Sequence, residues 1–280
     1  MDDQGSTRMD TIIRVDEHLC FGCGGCIRTC PGGLITKKDF PVPIEGAWEL
    51  CIDCGHCVAV CPTGAMHQRV MGPDDCAPID IHLVPKWDEA RQFLISRRSI
   101  RVYVNKPVEQ EKILQLLDGA RFAPNGGNRQ LVRWVVISDP AKVRRVAQMT
   151  VDWMKGVRET NPTLYQEAKL DVFVETWEAG QDQISRGAPC VVQAWAPKGE
   201  RTAPQAATIA IAYAQLAAHA LGLGTSFSGA INTASQAYPP LIEALGIPEG
   251  IMSYGTFVLG YPAETFTKIP MRNPVDVTWR

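Results

Sequence analysis

Apolar side chains recur with the period of an α-helix in one clear segment of the chain, residues 107–122. From Ile113 to Ala120 they return every three or four positions, and Pro107 stands near the start of the segment. Because proline is favoured in the first turn of a helix, this pattern predicts an amphipathic helix with one face buried.

Shorter patterns predict further elements around this helix. Trp87–Ser96 is helical in pattern, and Asp139 followed by Pro140 predicts the start of another helix, since aspartate caps helix N-termini. Apolar runs predict strands at 132–138, 191–196 and 252–259 and an alanine-rich buried helix at 203–221. Residues 149–186 form a polar stretch with scattered aromatic side chains. These elements together predict an α+β domain.

Composition narrows the class of protein. The chain has 280 residues, of which 45% are hydrophobic and 21% charged, with a net charge of −2. These values are typical of a globular protein, and the charge gives no basic face for nucleic acid. Residues 206–221 are the most apolar stretch, but they include Gln215 and His219, which favours a buried helix over a membrane span. The polar, acidic start at residues 1–6 does not resemble a secretory signal, so we expect a cytoplasmic protein.

The cysteines are concentrated in one region. Eight of the ten lie between Cys20 and Cys61, and only Cys76 and Cys190 lie outside. In a cytoplasmic chain such a cluster favours metal ligation over disulfide bonds. Cys76 and Cys190 are interpreted as structural thiols.

The clustered cysteines follow one spacing twice. The pattern C-x2-C-x2-C-x3-C-P runs from Cys20 to Pro31 and again from Cys51 to Pro62. It is the pattern of bacterial ferredoxins with two [4Fe–4S] clusters, and the resemblance covers about residues 10–70. The alternative, structural zinc, uses more widely separated cysteine pairs.

In two-cluster proteins the fourth cysteine of each motif ligates the other cluster. We therefore assign Cys20, Cys23, Cys26 and Cys61 to one cluster, and Cys51, Cys54, Cys57 and Cys30 to the other. The sequence predicts a ferredoxin domain at 1–70, a proline-rich linker at 71–86 and a second domain at 87–280.

Three segments of the second domain resemble the nitroreductase family of flavoproteins. Residues 97–101 are similar to the family's R-R-S-x-R signature, and residues 123–130 to its A-P-S-x-x-N-x-Q-P-W loop. In that loop Asn125 replaces serine, and Leu131 and Val132 replace Pro-Trp. The third segment is the C-terminal half, which consists of the alanine-rich helix and then residues 222–229, 258–262 and 270–274. The resemblance spans about residues 87–280.

The resemblance implies a set of residues that bind FMN. Its arginines would hold the phosphate, since guanidinium forks match phosphate oxygens. The Ser228 region would place backbone N–H groups near the flavin N5, and Arg272, or less favourably Lys268, would close on the phosphate. The implied residues are Arg97, Arg98, Ser99, Arg101, Pro124, Asn125, Asn128, Gln130, Ser228, Gly229, Leu259, Gly260 and Arg272.

The two domains together indicate an FMN-dependent oxidoreductase that takes single electrons through two [4Fe–4S] clusters. The donor is a ferredoxin-type protein or NAD(P)H, and the acceptor is a small molecule such as a nitroaromatic, a quinone or an activated alkene. The resemblance implies a homodimer and no essential catalytic side chain. The alternatives are a relay subunit that passes electrons to a partner oxidoreductase, and a flavin-dependent oxidase or dehydrogenase working in the opposite direction.

Overall fold

The structure is a computed structural model that describes residues 10–280. It forms two compact units: one contains the residues up to Val84 together with Gly127–Arg129, and the other contains Pro85–Gly126 and Gln130–Arg280. The predicted boundaries at 70 and 87 stay predictions, and residues 1–9 of the predicted first domain lie outside the described residues. In the described part of the chain, no helix is long and apolar enough to cross a membrane.

The first unit is built from short strands and helices. In chain order these are β1 (Ile13–Val15), α1 (Gly25–Thr29), β2 (Ile35–Lys37), β3 (Pro41–Pro43), α2 (Ala47–Leu50), α3 (His56–Ala59) and β4 (Met66–Gln68). Strand β1 pairs antiparallel with β4, and β2 pairs antiparallel with β3. Single turns of 3-10 helix follow at Pro73–Asp75 and Ile81–Leu83.

The second unit contains a four-stranded antiparallel sheet. Its strands are β5 (Arg133–Ile137), β6 (Cys190–Pro197), β7 (Gly224–Phe227) and β8 (Ile251–Gly260). Their order across the sheet is β5-β6-β8-β7, so the two apolar strands β6 and β8 lie in the centre.

Helices cover both faces of this sheet. They are α4 (Trp87–Ser96), α5 (Gln110–Ala120), α6 (Pro140–Thr160), α7 (Pro162–Glu167), α8 (Leu170–Glu178), α9 (Ala203–Ala220), α10 (Gly229–Ala237) and α11 (Pro239–Leu245). Helix α6 begins at Pro140, where the Asp139 carboxylate accepts hydrogen bonds from the backbone N–H groups of Ala141 and Lys142 at 2.8 and 3.2 Å. These bonds satisfy backbone donors that have no partner inside the helix.

The side chains of the central strands alternate between the two faces. Val191 and Val258 pack into the core under α6 and α10, whereas Val192 and Phe257 pack into the core under α5 and α9. Since both faces are buried, β6 is apolar at almost every position, which explains why its pattern is a continuous run.

Two paired glycines let the segment after α4 lie against the end of the sheet. Gly224 of β7 pairs with Gly260 of β8. A Cβ at Gly224 would lie 2.6 Å from Ile100 Cγ1, and one at Gly260 would lie 2.8 Å from Tyr103 Cδ1. Only glycine at these two positions leaves room for the Ile100 and Tyr103 side chains. The two glycines therefore allow the arginine-rich segment to pack closely against the sheet.

The predicted elements are confirmed with small shifts at their ends. The predicted helix 107–122 is shorter, because the backbone stays extended at Glu109 and α5 begins at Gln110. Helices α7 and α8 lie within residues 149–186, for which the sequence assigned no element. Strand β7 and helices α10 and α11 were also not predicted. The fold class is α+β, as expected.

Candidate functional site

The eight clustered cysteines surround two separate cavities in the first unit. Cys20, Cys23, Cys26 and Cys61 line one of them. Cys30, Cys51, Cys54 and Cys57 line the other. Each cavity therefore takes three cysteines from one motif and the fourth from the other motif, which is the arrangement that the spacing predicts.

Glycines in left-handed backbone conformation shape both cysteine loops. Gly24 has φ 70° and precedes α1, and Gly55 has φ 71° and precedes α3. Left-handed residues without a side chain let the loop turn tightly around a centre. Burial, and then the neighbouring Cys54 thiol, raise the pKa of Cys57 to about 11. Thiolates at such a position need a positively charged centre, which an iron cluster supplies.

Hydrogen-bonding groups lie near the sulfurs of Cys30, Cys51 and Cys61. The Leu34 N–H donates to Cys30 Sγ at 3.3 Å, and Gln68 Nε2 donates to Cys51 Sγ at 3.7 Å. The Thr63 hydroxyl lies 3.8 Å from Cys61 Sγ. The Asp53 carboxylate also lies near Cys51 Sγ, with Oδ1 at 3.7 Å, so both sets of cysteines have hydrogen-bonding groups at their sulfurs.

The arginine-rich segment of the second unit runs along the edge strand β7. Ser99 forms a parallel bridge with Thr225, and the Ile100 N–H donates to the Thr225 carbonyl at 2.9 Å. The predicted phosphate-binding residues are thus fixed by backbone pairing to a strand more than one hundred positions away.

Arg97 and Arg98 line one cavity next to this pairing. Its other lining residues include Gln215, His219, Thr225 and Phe266. Arg98 Nε is the one buried side-chain nitrogen or oxygen in residues 10–280 that lacks a hydrogen-bond partner. Burial, and then the charge of Arg98, lower the pKa of Arg97. A buried donor without an acceptor beside a second cation is a fit for an anionic group.

His219 shares this cavity with the arginines. Its Nε2 lies 3.0 Å from the Ser96 hydroxyl, and its ring stacks on Phe93 with the ring centres 5.3 Å apart. Burial, and then the charge of Arg97, lower the pKa of His219. Both effects disfavour the charged imidazolium, and the two arginines supply the positive charge of the cavity.

Arg101, also predicted as a cofactor ligand, lies within electrostatic range of Arg186. Arg186 has left-handed backbone, with φ 57°. The Asp182 carboxylate holds this loop, because it accepts hydrogen bonds from the backbone N–H groups of Ser185 at 2.8 Å and Gly187 at 3.2 Å. Arg186 was not among the residues predicted from the sequence. Asp182, four positions before it, could have indicated a turn here, since aspartate side chains accept hydrogen bonds from backbone N–H groups in turns.

The loop that includes residues 123–130 is divided between the two units. Asn125 Oδ1 accepts from the Gln130 N–H at 2.9 Å, and both residues line a cavity beside α5 and α9. Pro124 lines a neighbouring cavity with Asn125. Asn128 belongs to the first unit, where its Nδ2 donates to the Asp53 carbonyl at 2.9 Å. The structure therefore does not group Asn128 with the other predicted FMN ligands.

The remaining predicted residues lie at strand and helix ends of the second unit. Ser228 is buried before α10, and its N–H donates to the Thr256 carbonyl at 2.8 Å, while Gly229 begins that helix. Leu259 pairs with Thr225 across the sheet, next to the Gly224–Gly260 pair. Arg272 is exposed and donates to the carbonyl of Met271, so it is not brought to the arginine cavity.

Two family profiles match the chain. The profile described as the nitroreductase family matches residues 94–261, more than half of the chain. The chain belongs to the nitroreductase family. A profile described as a 4Fe-4S dicluster domain matches residues 19–66. The protein is thus a nitroreductase-family oxidoreductase with an N-terminal 4Fe-4S domain.

Individual relatives share the nitroreductase part. "FMN reductase [NAD(P)H]" of Bacillus subtilis is 26% identical over 185 residues, which cover 65% of this chain and 70% of that protein. A Bacteroides fragilis nitroreductase with bound FMN superposes with a TM-score of 0.54 at 20% identity and covers 67% of this chain and 95% of that one. An FMN-bound nitroreductase from Desulfitobacterium hafniense also has a TM-score of 0.54, at 22% identity, with coverages of 68% and 96%. At this identity the two structures establish the nitroreductase fold.

Proposed function

We propose that this chain is an FMN-dependent oxidoreductase that receives single electrons through two [4Fe–4S] clusters and reduces a small organic acceptor. The observation that carries the proposal is the sorting of eight cysteines into two cavities of four, on the same chain as a nitroreductase domain. A nitroreductase domain that needed only a direct hydride donor would have no use for electron carriers.

The two cavities fit iron–sulfur clusters. In each, three thiolates come from one tight loop and the fourth from the start of the segment that leaves the other loop. Cys20, Cys23, Cys26 and Cys61 hold one cluster, and Cys30, Cys51, Cys54 and Cys57 hold the other. When bound, each cluster carries one electron at a time.

The cavity that contains Arg97 and Arg98 fits the phosphate of FMN. No carboxylate among residues 10–280 forms an ion pair with either arginine, so both charges are available. The partnerless Arg98 Nε would gain an acceptor from a phosphate oxygen. The name of the Bacillus subtilis relative supports this assignment.

The chain's groups next to the flavin bind and orient it. The Ser228 N–H is already engaged by the Thr256 carbonyl, which leaves the N–H of Gly229, in the first turn of α10, to face the flavin. Arg101 and Arg186 add positive charge close to each other. FMN, when bound, accepts single electrons and delivers a pair to the acceptor. We name no catalytic side chain.

The donor in this proposal is a ferredoxin-type protein, and NAD(P)H is the competing donor. The 4Fe-4S domain supports the first, because it gives single electrons a route into the chain. The name of the Bacillus subtilis relative supports the second. The acceptor is a nitroaromatic, a quinone or an activated alkene, all of which take a pair of electrons.

We further propose that the chain forms a homodimer in the cytoplasm. Large apolar side chains are exposed on and beside α5, where Leu114 is 58% and Phe122 67% exposed, and in the C-terminal segment, where Trp279 is 90% exposed. A second copy of the chain would bury such surfaces. The cluster cysteines must stay reduced to bind iron, which favours the cytoplasm.

Absorption spectra of the anaerobically purified protein test the donor. We expect flavin bands above a broad iron–sulfur shoulder, which NADH and NADPH leave unchanged and which reduced ferredoxin bleaches. Rapid bleaching by NAD(P)H alone would contradict entry of electrons through the clusters. Bleaching by ferredoxin without turnover of any acceptor would favour the relay subunit.

A further inference from the structure

The segment Gly127–Arg129 belongs to the first unit, although the residues on both sides of it in the chain belong to the second unit. Gly127 and Asn128 both have left-handed backbone, with φ 63° and 52°. This conformation is unfavourable for most residues with a side chain, and asparagine is one of the few that adopt it. The Asn128 side chain is therefore expected to make contacts that compensate for the cost.

The Asn128 amide binds the loop 51–54, which carries two ligands of the second cluster, the one at Cys30, Cys51, Cys54 and Cys57. Its Nδ2 donates to the carbonyls of Ile52 at 3.2 Å and Asp53 at 2.9 Å. Carbonyl oxygens only accept hydrogen bonds, so the end of the amide that faces them is the NH2 group. Ile52 and Asp53 are the two residues between Cys51 and Cys54, so this contact reaches the backbone that joins two cluster ligands.

Arg69, which follows β4, holds the same part of the first unit. Its guanidinium donates to the carbonyls of Trp48 at 2.7 Å and Cys51 at 3.0 Å. It also forms an ion pair with the Asp53 carboxylate, with Nε and Oδ1 2.7 Å apart. Together with the bonds from Asn128, these contacts give four backbone carbonyls within residues 48–53 a side-chain donor. The loop that carries Cys51 and Cys54 is therefore held by two distant parts of the chain.

The corresponding loop of the first cluster, residues 20–23, is held differently. Phe21 and Gly22 stand where the second motif has Ile52 and Asp53, and no side chain of residues 10–280 donates to their carbonyls. Arg28, which donates to the Cys23 carbonyl at 2.9 Å, belongs to the same cysteine motif. Of the two loops as the structure describes them, the loop 51–54 is thus the one bound by a segment whose chain continues on both sides into the second unit.

Covalent geometry limits how far this segment can lie from residues that the resemblance places at the flavin. Consecutive residues span at most about 3.6 Å each, so the Cα of Gln130 lies within about 7 Å of that of Asn128, and the Cα of Asn125 within about 11 Å. Asn125 and Gln130 stand in the loop that resembles the flavin-lining loop of the nitroreductase family. The Gln130 N–H donates to Asn125 Oδ1 at 2.9 Å, which ties the two ends of the segment together.

Electron transfer through protein slows steeply as the distance between donor and acceptor grows. We propose that the second cluster is the one that passes electrons to the flavin, and that Asn128 is a positioning residue that holds its loop for this transfer. Each transfer oxidises the second cluster by one electron and reduces the flavin by one, and two transfers with two protons from the solvent complete the pair. The inference rests on the proposed function, because it requires two clusters and FMN on one chain.

Rapid freezing of the reduced holoprotein after mixing with an acceptor tests which cluster feeds the flavin. Dithionite first reduces the clusters and the FMN, its excess is removed, and menadione is added. Electron paramagnetic resonance follows the reduced clusters, and absorbance follows the flavin. The matched variants Cys23→Ala and Cys54→Ala each remove the second cysteine of one motif, so each leaves one complete set of four ligands.

In Cys54→Ala we expect menadione to oxidise the flavin while the first cluster stays reduced. In Cys23→Ala the second cluster should be oxidised together with the flavin. Any other pattern in the two variants would overturn the inference and leave the proposed function intact. Clusters that stay reduced beside an oxidised flavin in the wild type would instead contradict the proposed function itself.

The variant Asn128→Gly tests the positioning role, because glycine adopts left-handed backbone readily and lacks the amide. Loss of the two hydrogen bonds should slow oxidation of the second cluster about tenfold. Iron content, FMN content and the rate at which menadione oxidises the flavin should stay as in the wild type. Lys169→Gly is the matched control, since Lys169 is exposed and also left-handed, with φ 50°, and it should change none of these quantities.

If Asn128→Gly loses iron or FMN, Asn128→Asp takes its place, because aspartate has nearly the same shape and lacks the NH2 donor. It should slow oxidation of the second cluster in the same way. Oxidation of the second cluster at the wild-type rate in the variant that retains its cofactors would overturn the positioning role of Asn128. Equal slowing in Lys169→Gly would also overturn it, since that change touches no residue of the loop 51–54.

Discussion

The two units of this protein specify their candidate sites in different ways. In the first unit each set of thiols comes from two short motifs, and three members of each set lie within seven consecutive residues, as from Cys20 to Cys26. In the second unit Arg98 and Thr225 line the same cavity although they are far apart in the chain. The first site depends on local spacing and the second on packing.

This difference determines how each site should respond to a substitution. A cluster site loses its occupant when one ligand is removed, because each thiolate bonds directly to iron. The arginine cavity instead depends on the sheet end where Gly224 and Gly260 leave room for Ile100 and Tyr103. A substitution at this end of the sheet should lower the stability of the fold and weaken FMN binding without abolishing it.

The largest expected effect is the loss of one cluster in Cys54→Ala. Iron content should fall from about eight to about four per chain, because this cavity holds its [4Fe–4S] centre through four thiolates and the loss of one exposes an iron to solvent and makes the centre labile. Iron and sulfide analysis of the anaerobically purified protein measures this. Cys76→Ala, a cysteine outside both sets, is the control and should retain all the iron. Full iron content in Cys54→Ala would contradict the ligand assignment.

The next largest effect concerns the arginine cavity. Arg98→Met should weaken FMN binding about tenfold to a hundredfold, because hydrogen bonds to charged groups contribute about 1.5–3 kcal/mol. Fluorescence titration of the flavin-free protein with FMN measures the affinity. Riboflavin, which lacks the phosphate, is the matched ligand, and its affinity should change little. An equal loss for both flavins would place Arg98 away from the phosphate.

Packing at the paired glycines should have a smaller effect. Gly224→Ala places a Cβ 2.6 Å from Ile100 Cγ1 and should lower the free energy of unfolding by about 1–3 kcal/mol. Gly156→Ala is the control, since Gly156 lies in α6 and a Cβ added there would have no neighbouring atom within 4 Å. That variant should raise stability by about 0.5–1 kcal/mol. Urea unfolding followed by circular dichroism compares them, and equal stabilities would contradict the close packing.

The smallest effect is electrostatic. The pKa of His219 lies below its ordinary value because of burial and the charge of Arg97. A phosphate bound at Arg97 and Arg98 would offset that charge, so the pKa of His219 should rise when FMN binds. Nuclear magnetic resonance of the histidine ring across a pH series measures it, with riboflavin as the phosphate-free control. A pKa that FMN leaves unchanged would place the phosphate elsewhere.

The lowered pKa of His219 also determines how the stability of the flavin-free protein changes with pH. Because the folded chain binds the His219 proton less readily than the unfolded chain, this group reduces stability as pH falls below its ordinary pKa. This loss of stability reaches its full size below the pKa that His219 has in the folded chain. FMN binding should make this loss smaller.

Much of this molecule could be predicted from the sequence, for physical reasons that differ between the units. The cysteine spacing predicted which thiols share a cavity, since three ligands of each set lie in one loop. Periodicity predicted α5 and the central strands, because their buried faces are regular. Helix α7 was missed although Asn161 followed by Pro162 repeats the signal that Asp139 and Pro140 supply for α6.

Other features depend on tertiary contacts that the sequence does not display. Asp53 and Gln68 meet only because β4 returns beside the second cysteine loop, and nothing in their local pattern indicates a contact. Arg186 approaches Arg101 through the turn that Asp182 organises. Comparing the two cysteine motifs position by position could have singled out Asp53, since it stands where the other motif has glycine.

The central claim is that electrons reach the flavin through the clusters. Rapid mixing of the protein with reduced ferredoxin under anaerobic conditions, followed at the flavin absorbance, tests it in the wild type and in Cys54→Ala. We predict fast flavin reduction in the wild type, and in the variant a rate at least tenfold lower, with reduction by dithionite still complete. Equal rates of flavin reduction by ferredoxin in the two proteins would contradict the claim.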